Sequence, residues 1–467
     1  MTQPVSDEAP LHFNAFDMLV PVHQSPGLWR HPESQIDQFD QLSYWTGLSQ
    51  TLEQAGFSCL FLADVPGVYD VYGGDHQASA RGGVQFPLLD LQVIIPALAQ
   101  ATEHLGFGIT ASATYEHPYL LARRFATLDH LTGGRIAWNI VTSYQESAAR
   151  NLGLSGQIPH DERYDRADEF MEVMYKLFET SFDDDAVTIN RQDGVFVDPQ
   201  KVHQIGHSSR WYQVPGPMLT HPGPQRTPLL FQAGSSARGQ QFAVDHGEAI
   251  FVVNANTKSL AAQVVDTRRK LAEAGRAPES VKFFAMATVI VAETEAEAQQ
   301  RLEQYREYVD TEAALALFGG WTGVDLSGLD EEAYVEDVTT DANQSALAFF
   351  TKDPRRRWTV RDIAEFVSIG GRGPTIVGDP QQVVDQLLHY RRVTGIDGFN
   401  ISAAVRPADF ERFVHYITPE LQRRGLLAER PDTPRTLRET LLGAGPHLAE
   451  DHPGSRAQMA KYVHTVV

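Results

Sequence analysis

Short apolar, β-branched runs alternate with longer segments of helical period through most of this chain, and that rhythm limits its fold more than any other feature. Eight runs read as strands: 13–20, 57–63, 105–110, 135–141, 229–232, 249–253, 281–291 and 398–402. Helical patterns follow most of them, at 42–55, 88–102, 119–131, 161–180, 237–244, 259–274, 295–309 and 407–424. In the fourth, Phe170, Val173, Met174, Leu177 and Phe178 recur at i, i+3, i+4, i+7 and i+8, with Asp161 as the expected N-cap. Eight parallel β/α units close into a TIM barrel, an α/β fold of roughly 250 core residues. The rival, an open doubly wound sheet, is weakened because no G-x-G-x-x-G follows any of these strands.

At 467 residues the chain exceeds the barrel, and the surplus falls in three places. Segments 181–227 and 311–357 break the rhythm with turn residues, short strand-like pieces and a Gly-Gly-Trp-Thr-Gly stretch, so both read as insertions in one domain spanning 1–467. The second is expected to be irregular or mixed and is the candidate lid. Residues 426–467 are polar and read as a surface tail.

Composition enters by exclusion. A formal net charge of −21 argues against nucleic acid and anionic membrane surfaces as partners. No run of 18 apolar residues is present, and "MTQPVSDEAPLHF" lacks the basic and apolar regions of a signal peptide, so a cytoplasmic location is expected. The single cysteine, Cys59, precludes an intrachain disulfide and lies in "FSCLFL", where it reads as a buried strand residue.

In a TIM barrel the chemistry sits where the strands end. The polar residues at those places are His23 after the first strand, Asp64 and Tyr69 after the second, and Thr110 at the end of the third. The fourth strand, "RIAWNIV", carries Asn139 in an apolar run, and a buried amide is costly unless hydrogen-bonded. His160 and Tyr164 lie one turn apart on the next helix. The fifth strand ends "QAGSS", placing Ser235 and Ser236 at a helix N-terminus, a phosphate-binding arrangement that is also an ordinary N-cap. No metal-ligand spacing, G-x-S-x-G elbow or catalytic cysteine motif is present.

The stretches "ATLDHLTGGRIAWNIVTS", "AARNLG", "HDERYDRADEFMEVMYKL" and "PLLFQAGSSARG" resemble the nitrilotriacetate monooxygenase branch of the bacterial luciferase-like flavin monooxygenases, over about residues 12–425. The resemblance implies a barrel that binds FMN as FMNH2, supplied by a separate NAD(P)H:flavin reductase, and inserts one oxygen atom from O2 into a small organic substrate. It implies that Asp64, Thr110 and Asn139 touch the flavin ring or ribityl chain, that His160 and Tyr164 line the ribityl and phosphate, and that Ser235 and Ser236 hold the phosphate. It places His23 and Tyr69 on the substrate side as catalytic candidates, His23 with an ordinary pKa near 6.5. Val20 and Tyr144 stand where the alkane-oxidising relative has cysteine and histidine, which weighs against alkanes as substrate. A homo-oligomer, dimer or tetramer, is expected. The alternatives are a deazaflavin-dependent oxidoreductase and a flavin-binding protein without catalysis.

Overall fold

The computed structural model describes residues 10–234, 236–254, 256–335, 342, 344–351, 356–427 and 432–456. Its barrel strands are β1 His12–Asp17, β2 Cys59–Leu62, β3 Gly106–Ser112, β4 Ile136–Val141, β5 Leu229–Gln232, β6 Ala249–Val252, β7 Lys282–Val291 and β8 Gly398–Ser402. All pair in parallel in that order, and Gly398 opposite His12 closes the ring between β8 and β1. This is the expected TIM barrel. Helices Leu42–Gln54, Leu91–Gln100, Pro118–Thr132, His160–Tyr175, Ala237–His246 and Thr257–Glu273 follow the first six strands. Among the described residues, no helix is long and apolar enough to cross a membrane.

Aromatic side chains fill the barrel interior. Phe16, Phe61, Phe231, Phe251 and Phe284 interlock, with Phe16 edge-on to Phe251 at 4.7 Å and Phe61 edge-on to Phe231 at 5.1 Å. Such packing makes the interior a solid core and not a pore. Gly108 on β3 is part of that fit, since a Cβ there would crowd Phe61 at 3.1 Å and the Cys59 sulfur at 3.3 Å. Beneath the phenylalanines, Asn14 donates to Asn400 at 2.9 Å.

Four sequence expectations change. Asp161 is not the N-cap: the helix begins at His160 after Pro159, and Asp161 lies in its first turn. A further strand, Thr375–Gly378, pairs with the end of β7 beyond the barrel ring. In the 311–357 segment, the Gly-Gly-Trp-Thr stretch is helical, within Thr311–Thr322, capped by Asp310 and by left-handed Gly323 at φ 72°. Burial from Ala313 to Thr322 offsets the roughly 1 kcal/mol each interior glycine costs. Residues 336–341, 343 and 352–355 of the candidate lid lie outside the described residues.

The fourth change concerns the tail. The helix Leu437–Leu442 does not wrap the surface; it closes the bottom of the barrel with buried Leu437 and Leu441. Arg438 is also buried and forms a two-pronged ion pair with Glu248, at 2.8 and 2.9 Å. Its other N–H groups donate to the Thr227 and Pro446 carbonyls. One charged side chain with several partners therefore anchors a segment that looks polar in sequence.

Candidate active site

Two adjoining cavities open where the barrel strands end, sharing Asp64, Val65, Val141, Tyr144 and Ala233 in their walls. The outer one is bounded by the end of β4, the start of the His160 helix and the loop after β5. There Ser236 caps the helix Ala237–His246, its hydroxyl accepting from the Gly239 N–H at 3.0 Å. The Tyr164 hydroxyl faces Thr142 and Ser236, and its ring lies 5.3 Å from that of His160. Arg238, on the same helix, is held by Asp165 and Asp168 and stacks on the Tyr164 ring at 5.5 Å. The outer cavity therefore ends in a helix N-terminus, where backbone N–H groups and the helix dipole favour an anion. Ser143 at its wall has φ 54°, a left-handed conformation costing a non-glycine residue about 1–2 kcal/mol, and its hydroxyl bonds Ser112 at 2.9 Å.

The inner cavity explains the amide in β4. Parallel register sets Asn139 beside Thr110. The Thr110 hydroxyl donates to the Leu62 carbonyl at 2.9 Å, so its oxygen must accept from Asn139, which donates at 2.8 Å. That order fixes the flip of the amide. The Asn139 carbonyl oxygen is left buried on the cavity wall with no partner among the described residues. It can only accept, so it awaits an N–H or O–H donor. Asp64 stands where the cavities meet, and burial pushes its carboxyl up to about 7.

Across the inner cavity the hydroxyls of Tyr69 and Tyr144 bond at 2.7 Å. The Trp321 indole faces Tyr69, and Gly320 leaves the Tyr69 ring room that any Cβ would take. His23 lines the same space, edge-on to Phe16 at 4.4 Å, with its Nδ1 lacking a hydrogen-bond partner among the described residues. Asp17 lies 3.9 Å from that nitrogen but is paired with Arg406. Burial, reinforced by the Arg406 charge, holds the imidazole well below its usual pKa. This corrects the expected value near 6.5: at neutral pH His23 is an uncharged ring.

The sequence pattern of the luciferase-like monooxygenases matches residues 15–397, from within β1 to just before β8. The chain belongs to that family. The monooxygenase is 45% identical over 445 residues to dimethyl-sulfide monooxygenase from Hyphomicrobium sulfonivorans, covering 95% of this chain and 92% of that one. It is 43% identical to long-chain alkane monooxygenase from Geobacillus thermodenitrificans (strain NG80-2), over 96% of this chain and 97% of the other. The crystal structure of riboflavin lyase (RcaE) with modified FMN and substrate riboflavin is similar at a TM-score of 0.90 and 37% identity, over 96% and 99% of the two chains. The protein is thus an oxidoreductase.

Of the residues expected to form the site, His160, Tyr164 and Ser236 line the outer cavity of the monooxygenase. His23, Tyr69, Thr110 and Asn139 line the inner one, and Asp64 lines both. Ser235 lies outside the described residues. Sequence reasoning missed Arg163, which lines the outer cavity and donates to the Ile158 carbonyl at 2.7 Å. It also missed Gln24, Gln85, Trp321 and Arg372 on the inner wall. Arg163 was within reach, since it lies between His160 and Tyr164 in "HDERY". The others come from loops and an insertion with no period to mark them.

Proposed function

We propose that this chain is the oxygenase of a two-component system, taking FMNH2 from a separate NAD(P)H:flavin reductase and inserting one atom of O2 into a small organic substrate. The observation that carries the reading is the orphaned Asn139 carbonyl, in a space continuous with the anion-favouring end at Ser236. A flavin mononucleotide offers both complements, a ring N–H donor and a phosphate, and in a luciferase-like monooxygenase it is the fitting occupant. When bound, reduced flavin supplies the two electrons that activate O2.

The protein's part is placement and shielding. Ser236 and the helix behind it hold the phosphate, with His160 and Tyr164 beside it. Thr110 acts through Asn139, fixing the amide so that its oxygen meets the ring. Asp64 accepts from the hydroxyl-bearing chain between ring and phosphate. His23 and Tyr69 face the substrate: the uncharged imidazole accepts or relays a proton, and the Tyr69–Tyr144 pair orients a second hydroxyl there. The aromatic floor excludes water from below. Dimethyl sulfide and a long-chain alkane, in the names of two relatives, differ enough that the family sets the reaction and leaves the substrate to each chain's cavity.

The test supplies the purified chain with a flavin reductase, NADH, FMN and 18O2, and screens sulfides, sulfones, amines, aromatics and alkanes. One 18O atom in a product, absent when the reductase is omitted, is the expected result. Product oxygen drawn from water, or turnover only with a reduced deazaflavin, overturns the proposal.

A further inference from the structure

We propose that the inner cavity wall around Arg372 recognises an anionic group on the substrate, so that this monooxygenase acts on small organic molecules bearing a terminal carboxylate or sulfonate. The proposal rests on the inner cavity being where substrate is oxygenated. The contrast among the arginines carries it. Arginines buried elsewhere in this fold reach an acceptor: Arg406 reaches Asp17, Arg438 Glu248, Arg226 Asp184, Arg135 the Ala99, Leu105 and Thr132 carbonyls, Arg276 the Val244 carbonyl and Arg163 the Ile158 carbonyl. Arg372 lies on the cavity wall with its guanidinium 5.2 Å from the Trp321 ring, and no carboxylate or hydrogen-bond acceptor engages it among the described residues. The titratable groups beside it are the uncharged hydroxyls of Tyr69 and Tyr144. A guanidinium on a cavity wall, partly shielded from bulk water and without a counter-charge, favours an anionic ligand there.

The surroundings are built for the role. Arg372 follows Gly370 and Gly371, both left-handed at φ 76° and 64°, where any side chain would run into Thr288 and Gln24. The turn therefore packs closely and leaves Arg372 as its side chain on the cavity wall. The hydroxyl pair adds a donor. Whichever of Tyr69 and Tyr144 donates in their bond, the other's proton is left over for an acceptor in the cavity. The Gln24 amide stands against Gly371 on the same wall. A carboxylate or sulfonate can accept from all three, two of its oxygens facing the guanidinium fork. Phe16, Met18, Phe251 and Met286 supply apolar surface for the rest of such a molecule. Ser236 and His160 line the other cavity and not this one, so Arg372 is separate from the proposed phosphate end.

Calorimetry on the FMN-loaded protein, in which the phosphate end is filled, tests the proposal with hexanoate and pentane-1-sulfonate against hexanamide, an uncharged twin. Both anions are expected to bind about tenfold or more tighter than the amide, as one charge-assisted contact provides. Arg372→Met is expected to abolish the preference with FMN affinity unchanged, and Arg372→Lys to keep part of it. Should Arg372→Met not retain FMN, Arg372→Gln takes its place in the titration. Equal binding of acid and amide, no heat with either anion, or a preference that survives loss of the guanidinium overturns the proposal. Failure of the oxygenase reading shows separately, as absence of 18O in every product, while the anion preference stays readable by heat alone.

Discussion

Asp64 shows how much a single position can depend on its surroundings. Its carboxyl titrates near 3.8 in an unfolded chain and is pushed up to about 7 here by burial. Between those values the folded state holds a proton that the unfolded state has released, so its contribution to stability falls as pH rises through that window and levels off above it. Asp64→Asn is therefore expected to flatten the pH dependence of flavin-free stability, measured by denaturation at about pH 5, 6, 7 and 8; an unaltered slope would place the titrating group elsewhere. His23→Ala is expected to leave FMN affinity near normal while product falls and hydrogen peroxide rises per O2 consumed. If His23 serves only to hold its loop, the variant loses thermal stability and the product-to-peroxide ratio of the folded fraction stays put. The polarity of Asp64, Thr110 and Asn139 was legible because each interrupts or ends an apolar strand. The uncharged state of His23 was not, because it depends on burial in the finished barrel and, next, on the charge of Arg406, distant in sequence.

Among the elements, the helix Ala237–His246 offers a clean separation of folding from binding. Aspartate caps a helix as well as serine does, so Ser236→Asp is expected to keep the fold. It sets a carboxylate against the proposed phosphate and removes a donor, a loss of about 1.5–3 kcal/mol before repulsion is added. FMN affinity should drop roughly ten- to a hundredfold by fluorescence titration, and an unchanged dissociation constant would move the phosphate elsewhere. The helix Leu437–Leu442 gives the opposite pattern. Arg438→Met strands Glu248 as a buried charge, for an expected loss of about 3–5 kcal/mol in denaturant unfolding, with FMN affinity of the folded protein unchanged. The barrel strands were legible because strand and helix periods alternate without ambiguity. Thr375–Gly378 was missed as a four-residue run outside the ring, and the tail helix because its burial depends on Glu248 and Gln225, which no local pattern announces.

For the whole molecule, strand count was enough to imply closure, since eight parallel units have one common way to finish. The substrate wall was not legible, because Gln24, Trp321 and Arg372 meet only after the barrel has brought three distant segments together. The same gathering bears on how long each copy lasts in service. Any peroxide released in idle cycles begins its path inside the fold. The sole thiol, Cys59, sits within the aromatic core, and burial pushes its pKa far up, leaving almost no thiolate to be oxidised. Met18 and Met286 instead line the inner cavity. Mass spectrometry after idling with reductant and no substrate is expected to find sulfoxide first at these two thioethers, with Cys59 intact; early oxidation confined to methionines that do not line this cavity would refute this. The working lifetime of the catalyst, counted in turnovers, then ends when a cavity wall turns polar, and a methionine sulfoxide reductase would restore it.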